Sequence, residues 1–215
     1  MDNYINSSPK GVELGLSTLS DTEFTVTEAS FLVDRSPTDV QNAVDKKVVK
    51  STVVKAGPRA QRLLGRAELR FLTMDREIGE ALSGVGKRRL YEELSRLPET
   101  ATTARFGALV VDLRKSDAKL KKRLRLLEAI KGSIKMREGE PFIKGTDIPA
   151  YQVAALYPAA SIEEILEDFP SLKRGQVEHA IDFARAYPKK GRPYPSTSMK
   201  RGISNLIKGG VFDDD

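Results

Sequence analysis

Thr25-Val26-Thr27-Glu28-Ala29-Ser30-Phe31-Leu32-Val33-Asp34-Arg35-Ser36-Pro37-Thr38-Asp39-Val40-Gln41-Asn42-Ala43-Val44-Asp45 holds two helix starts in close succession. In Thr25 to Glu28 a hydroxyl is followed three residues later by a carboxylate, the pattern of a capping box, and it starts a short helix through Ala29 and Leu32. Asp34-Arg35 is a polar turn. Ser36 then supplies an N-cap, Pro37 the first helical position and Asp39 an acid in the first turn. The second helix reaches about Asp45, with Val40 and Val44 on its buried face. Two short helices joined by such a turn have the spacing of a helix-turn-helix.

Downstream, Val48 to Lys55 is β-branched and interrupted by polar residues, Ala56-Gly57-Pro58 is a turn, and Gln61 to Leu64 is a second strand. Strand, Gly-Pro turn and strand read as a hairpin, and behind a helix-turn-helix it would be a wing. A helix from Arg66 to about Leu82 and another from Lys87 to Leu97 follow, divided by Gly84 and Gly86. Phe106 to Leu113 is an apolar run of strand length, and Lys119 to Lys131 an amphipathic helix with Leu120, Leu124 and Leu127 on one face. The second half opens with a hairpin, Ser133 to Met136 and Pro141 to Lys144. Three helices come after it: one through Val153 and Leu156, one started by the capping box Ser161 to Glu164, and one from about Leu172 to Tyr187. Pro188, Gly191, Pro193 and Pro195 mark a linker.

The expected fold is therefore mainly α with small β elements. It comprises an arm at 1–22, a winged helix-turn-helix at 23–82, a connecting segment at 83–132 that serves dimerisation, a second small domain at 133–188 and a tail at 189–215.

The chain has 215 residues, no cysteine, one histidine (His179) and a formal net charge of +6. Without thiols or a second imidazole, most hydrolytic and metal chemistry is removed, and no enzyme activity, metal or cofactor is expected. No apolar run is long enough for a membrane span and no secretory signal is recognisable, so a cytoplasmic protein is expected. The acids Glu163, Glu164, Glu167 and Asp168 read as capping and surface charge.

From Lys46 to Arg70 there are eight basic residues against one acid, Glu68. This bias, beside a helix-turn-helix, suggests DNA. On the second helix Thr38, Gln41, Asn42 and Asp45 share the face that would enter a major groove, and Gln41 and Asn42 can pair bidentately with adenine. Lys46, Lys47, Lys50, Lys55, Arg59 and Arg62 would neutralise phosphates. The cations of the later helix, Lys119, Lys121, Lys122, Arg123 and Arg125, read as a solvated outer face. In the tail, Met199, Ile203, Leu206 and Ile207 form one apolar stripe on a helix that would order on a partner. Arg192, Tyr194, Lys200 and Arg201 complete the candidate partner-binding set.

Gly139-Glu140-Pro141-Phe142-Ile143-Lys144-Gly145-Thr146-Asp147-Ile148-Pro149 resembles the opening signature of the domain-of-unknown-function family numbered 433, and Ala160 to Leu172 and Val177 to Ile181 look like its continuation. Many members carry Arg where this chain has Asp147. Longer members with a winged helix-turn-helix ahead of this domain resemble VapB-type antitoxins. That resemblance implies a dimer that represses its own operon and neutralises a PIN-like ribonuclease toxin. Such a toxin holds a divalent cation in a carboxylate cluster, which a basic tail side chain such as Arg192 or Arg201 would block. Phe24 to Leu72 also resembles the start of MerR-type regulators, so a stand-alone regulator without a toxin is the alternative.

Overall fold

The computed structural model describes residues 23–56, 59–78, 82–198 and 201–203, so the arm at 1–22 and the helix end at 79–81 lie outside the described residues. It opens with β1 (Glu23–Thr25), α1 (Val26–Val33), α2 (Pro37–Asp45), β2 (Thr52–Ala56) and β3 (Arg59–Gly65). Both expected helix starts are formed. Thr25 Oγ1 accepts from the Glu28 amide and Glu28 returns a bond to the Thr25 amide, while Ser36 accepts from the Asp39 amide behind Pro37. β1 pairs antiparallel with β3, which also pairs with β2, so the hairpin gains a third strand. That strand is too short to show a period of its own, which is why sequence patterning passes over it.

Next come α3 (Arg66–Ile78), α4 (Gly84–Arg96), β4 (Thr103–Phe106), β5 (Leu109–Asp112) and α5 (Arg114–Gly132). Two expectations change here. The run Phe106 to Leu113 is not one strand, because Gly107 at φ 59 turns the chain and pairs Phe106 with Leu109 across a two-residue loop. Gly84 and Gly86 do not divide helices but sit in the first turn of α4, where the Ser83 hydroxyl accepts from the Gly86 amide. The last elements are β6 (Ile134–Arg137), β7 (Glu140–Ile143), α6 (Ala150–Leu156), α7 (Ile162–Asp168) and α8 (Arg174–Ala186). The fold is mainly α with small antiparallel sheets. No helix among the described residues is long and apolar enough to cross a membrane.

One contiguous apolar cluster runs from Phe24 in β1 to Ala186 in α8. Elements from both halves of the chain share it, because α1 packs on α3, α5 and α8. Three polar ties cross the same junctions. Arg70 on α3 makes a bidentate pair with Asp117 on α5, Nε to Oδ1 at 2.7 Å and Nη2 to Oδ2 at 2.6 Å, and also donates to the carbonyls of Pro98 and Ala101. A guanidinium as buried as this one is stable only when its donors are matched in that way. Arg123 on α5 donates through Nε to the Phe31 carbonyl at 3.1 Å and lies 4.2 Å from the Phe31 ring centre. It supplies the cation that the last turn of α1 lacks.

The third tie is Glu28. Its Oε1 accepts from the Tyr187 hydroxyl at 2.5 Å and lies 3.0 Å from Lys131 Nζ, which joins α1 to the ends of α8 and α5. Burial alone would raise this carboxyl. Bonds from Tyr187 and Thr25 and the charge of Lys131 outweigh that and hold it below its ordinary value, while Tyr187, buried against the carboxylate, is raised.

A group whose pKa is lowered on folding adds stability above its unfolded value, and that stability is lost as pH falls. Glu28→Gln should therefore cost about 1–3 kcal/mol near neutral pH and progressively less as the pH falls below about 4.5, where the carboxyl of the unfolded chain takes up its proton before the folded one does. Urea titrations at neutral and acid pH measure the difference, and an equal cost at both would show that the charge of Glu28 contributes nothing.

Candidate nucleic-acid interface

Helix α2 sorts its residues as an amphipathic helix should. Val40 is fully buried, while Thr38, Asn42 and Asp45 are exposed and Gln41 is half-buried. With 3.6 residues per turn these four polar residues lie on one outward face. Asp45 is not free on it. Arg62 Nη1 in β3 donates to its Oδ1 at 2.6 Å and Gln41 Nε2 stands 3.5 Å away. The Arg62 bond and charge hold Asp45 below the usual carboxylate range.

Arg62, read from the sequence as a phosphate contact, also braces the hairpin against the helix through Nη1. Lys46, Lys47, Lys50 and Lys55 are exposed and have no carboxylate partner among the described residues. Gly57, Pro58 and the Arg59 side chain lie outside the described residues. The hairpin base is held from behind. The Tyr91 hydroxyl on α4 donates to Glu68 and also meets the backbone of Lys50, and its burial raises its pKa.

The turn into α2 rests on a cluster that residue patterning does not disclose. Asp75 on α3 is nine-tenths buried and lies 3.0 Å from both Arg35 Nη2 and Lys87 Nζ. Arg76 pairs with Asp34 at 2.5 Å and, ahead of lesser contributions from Arg123 and Lys119, lowers the pKa of that carboxyl. A shallow groove on the Asn42 flank of α2 is lined by Arg35, Asp39, Asn42, Lys46, Asp75 and Lys87. Only the departure from helical spacing at Asp34-Arg35 hints at this in sequence, since the partners lie about forty positions away.

The tail is less free than its composition suggests. Tyr194 donates to Glu140 Oε1 at 2.8 Å, and Lys189 Nζ stands between the Tyr151 and Tyr194 rings at 5.6 and 5.3 Å. Ser198 Oγ donates to Asp168 at 2.6 Å. Arg201 donates to Asp168 and to Glu164, both at 2.8 Å. Glu164 is lowered to about 2, by the Ser161 amide first and then by Arg201. Arg201 and Tyr194 are thus engaged with their own body. Arg192 is exposed with no carboxylate partner among the described residues and Ile203 is exposed, whereas Met199, Lys200, Leu206 and Ile207 lie outside the described residues.

Residues 131–184, from the end of α5 into α8, match the family described as Protein of unknown function (DUF433). The chain is also similar to an uncharacterized protein, y4eO, of Sinorhizobium fredii (strain NBRC 101917 / NGR234), at 34% identity over 89 residues. That stretch is 41% of this chain and 37% of the relative, so the chain spans little more than a third of the relative's length. No solved structure matches the chain.

Lys47 ends α2 in the left-handed region, at φ 53, and the Val48 amide bonds back to the Ala43 carbonyl. That position favours glycine. Lys47→Gly should therefore leave stability unchanged or raise it by up to about 1 kcal/mol, as thermal denaturation will show. A clear loss of stability would mean that the lysine side chain packs.

Proposed function

We propose that the protein is a DNA-binding autorepressor of the antitoxin type, acting as a homodimer on its own operator and neutralising a PIN-like ribonuclease toxin. The observation that carries the DNA half is α2: Val40 locks one face into the core while Thr38, Gln41 and Asn42 present the other, and Lys46, Lys47, Lys50 and Lys55, exposed and without a carboxylate partner among the described residues, follow it in the chain. Base contacts by the amides would specify and phosphate contacts by the lysines would position. Arg62 on Asp45 would set the angle between helix and hairpin. Support for the antitoxin half comes from the sequence resemblance and from Arg192, an exposed basic tail residue that could meet a carboxylate cluster.

One observation favours the rival reading, a stand-alone MerR-like regulator. Tyr194, Ser198 and Arg201 hold the tail to the body, as a structural strap would. A short neighbouring gene for an acidic α/β protein favours the antitoxin; its absence favours the regulator.

In a gel-shift series Gln41→Ala and Asn42→Ala should change which base pairs are preferred, at about 1–3 kcal/mol per lost bidentate contact. Lys50→Glu and Lys55→Glu should weaken all duplexes alike. Sequence preference untouched by either amide substitution would remove α2 from the groove.

For the tail, Arg192→Glu should abolish neutralisation of the toxin while leaving a folded dimer that binds DNA. Removing residues 191–215 should do the same but also destabilise the protein, since it uncovers Asp168 and Glu164. Calorimetry of toxin against the three proteins decides the matter, and equal affinity for all would place the toxin contact elsewhere.

A further inference from the structure

Lys115, Lys119 and Lys122 recur along α5 at i, i+4 and i+7, which puts them on one stripe, with Lys121 and Arg125 beside it. All five are exposed. Lys119, Lys121, Lys122 and Arg125 have no carboxylate partner among the described residues, and Lys115 stands 3.8 Å from Glu77 with both side chains largely in solvent. From Ala118 to Leu127 the helix contains no acid. A solvated helix face ordinarily alternates its charges; this one does not.

Its place in the fold gives the stripe a partner. Arg123, on the inward side of the same helical segment, donates to the Phe31 carbonyl in the last turn of α1, and the charge of Lys119, one turn earlier, reaches Asp34 in the turn that leads into α2. Lys119 therefore stands on the N-terminal side of α2, with Lys122 next to it on the stripe, while Lys46, Lys47 and Lys50 follow its C-terminal end. Helix α2 has nine residues. At 1.5 Å per residue that is roughly 14 Å, close to the roughly 12 Å width of a B-DNA major groove. With the axis of such a helix crossing the groove, cations beyond its two ends would fall over opposite phosphate walls.

We infer that α5 carries a second phosphate-binding surface, in which Lys119 and Lys122 contact the DNA backbone on the groove wall opposite the hairpin. The inference rests on the operator-binding reading above. These residues would add affinity and fix the register of α2 without reading sequence.

The test uses the full chain, a duplex from upstream of its own gene and a mixed-sequence duplex of equal length, with binding followed by fluorescence anisotropy across a potassium chloride series. Lys119→Ala/Lys122→Ala should weaken binding to both duplexes and reduce the slope of log affinity against log salt by about 1 per lysine. Both positions are exposed, so circular dichroism should confirm an unchanged fold. A variant of Thr38, Gln41 and Asn42 to Ala should lose the preference between duplexes and keep the slope. If the wild type binds neither duplex, the operator-binding reading is overturned and the α5 surface with it. If it binds and the lysine variant keeps the wild-type slope, the α5 surface alone is overturned.

Discussion

Glu28 is one carboxylate answering to three elements. It closes the cap of α1, accepts from Tyr187 at the end of α8 and faces Lys131 at the end of α5. A charge with so little access to water is tolerable only when its lone pairs are filled, so the position of each partner is fixed by the others. The first helix of the N-terminal unit is thereby set by residues more than a hundred positions downstream. Arg70 on Asp117 and Arg123 on Phe31 repeat the principle at neighbouring junctions. Apolar burial alone allows helices to slide; these bonds set their register.

That constraint bears on how α2 is presented. Its turn is supported from α3 through Asp75 and Arg76, its far end is braced by Arg62, and its first partner, α1, is held from α5 and α8. A groove-reading helix benefits from such a mount, since ordering it on binding would subtract from affinity. In the operator-binding reading, the lysines around it would reach phosphates on flexible stems, giving up side-chain entropy as they do so.

What the sequence discloses follows from the range of each interaction. Both capping boxes, the Ser36-Pro37 start and the outward face of α2 depend on neighbours three or four residues apart, the β6–β7 hairpin on pairs no more than nine apart, and they stand where local chemistry puts them. Contacts of longer range or finer grain are not legible in this way. The turn at Gly107 hides inside an apolar run of strand length. Arg62, Tyr194 and Arg201 read as available because the carboxylates that claim them, Asp45, Glu140 and Asp168, lie seventeen, fifty-four and thirty-three positions away. Residue type told which side chains could bind an anion. It could not tell which were already spoken for.

Tyr187 is the last residue before Pro188, where the strap begins, and this gives the molecule a mechanical order. Among the described residues, a load from the C-terminal side meets Arg201 and Ser198 on α7 first and Tyr194 on Glu140 next. It then arrives at Tyr187, held by Tyr151 through its carbonyl and tied by its hydroxyl to the first turn of α1. An unfolding motor that drew the chain in from this side would strip the strap and uncover Asp168 and Glu164 before its pull reached the helix that supports α2.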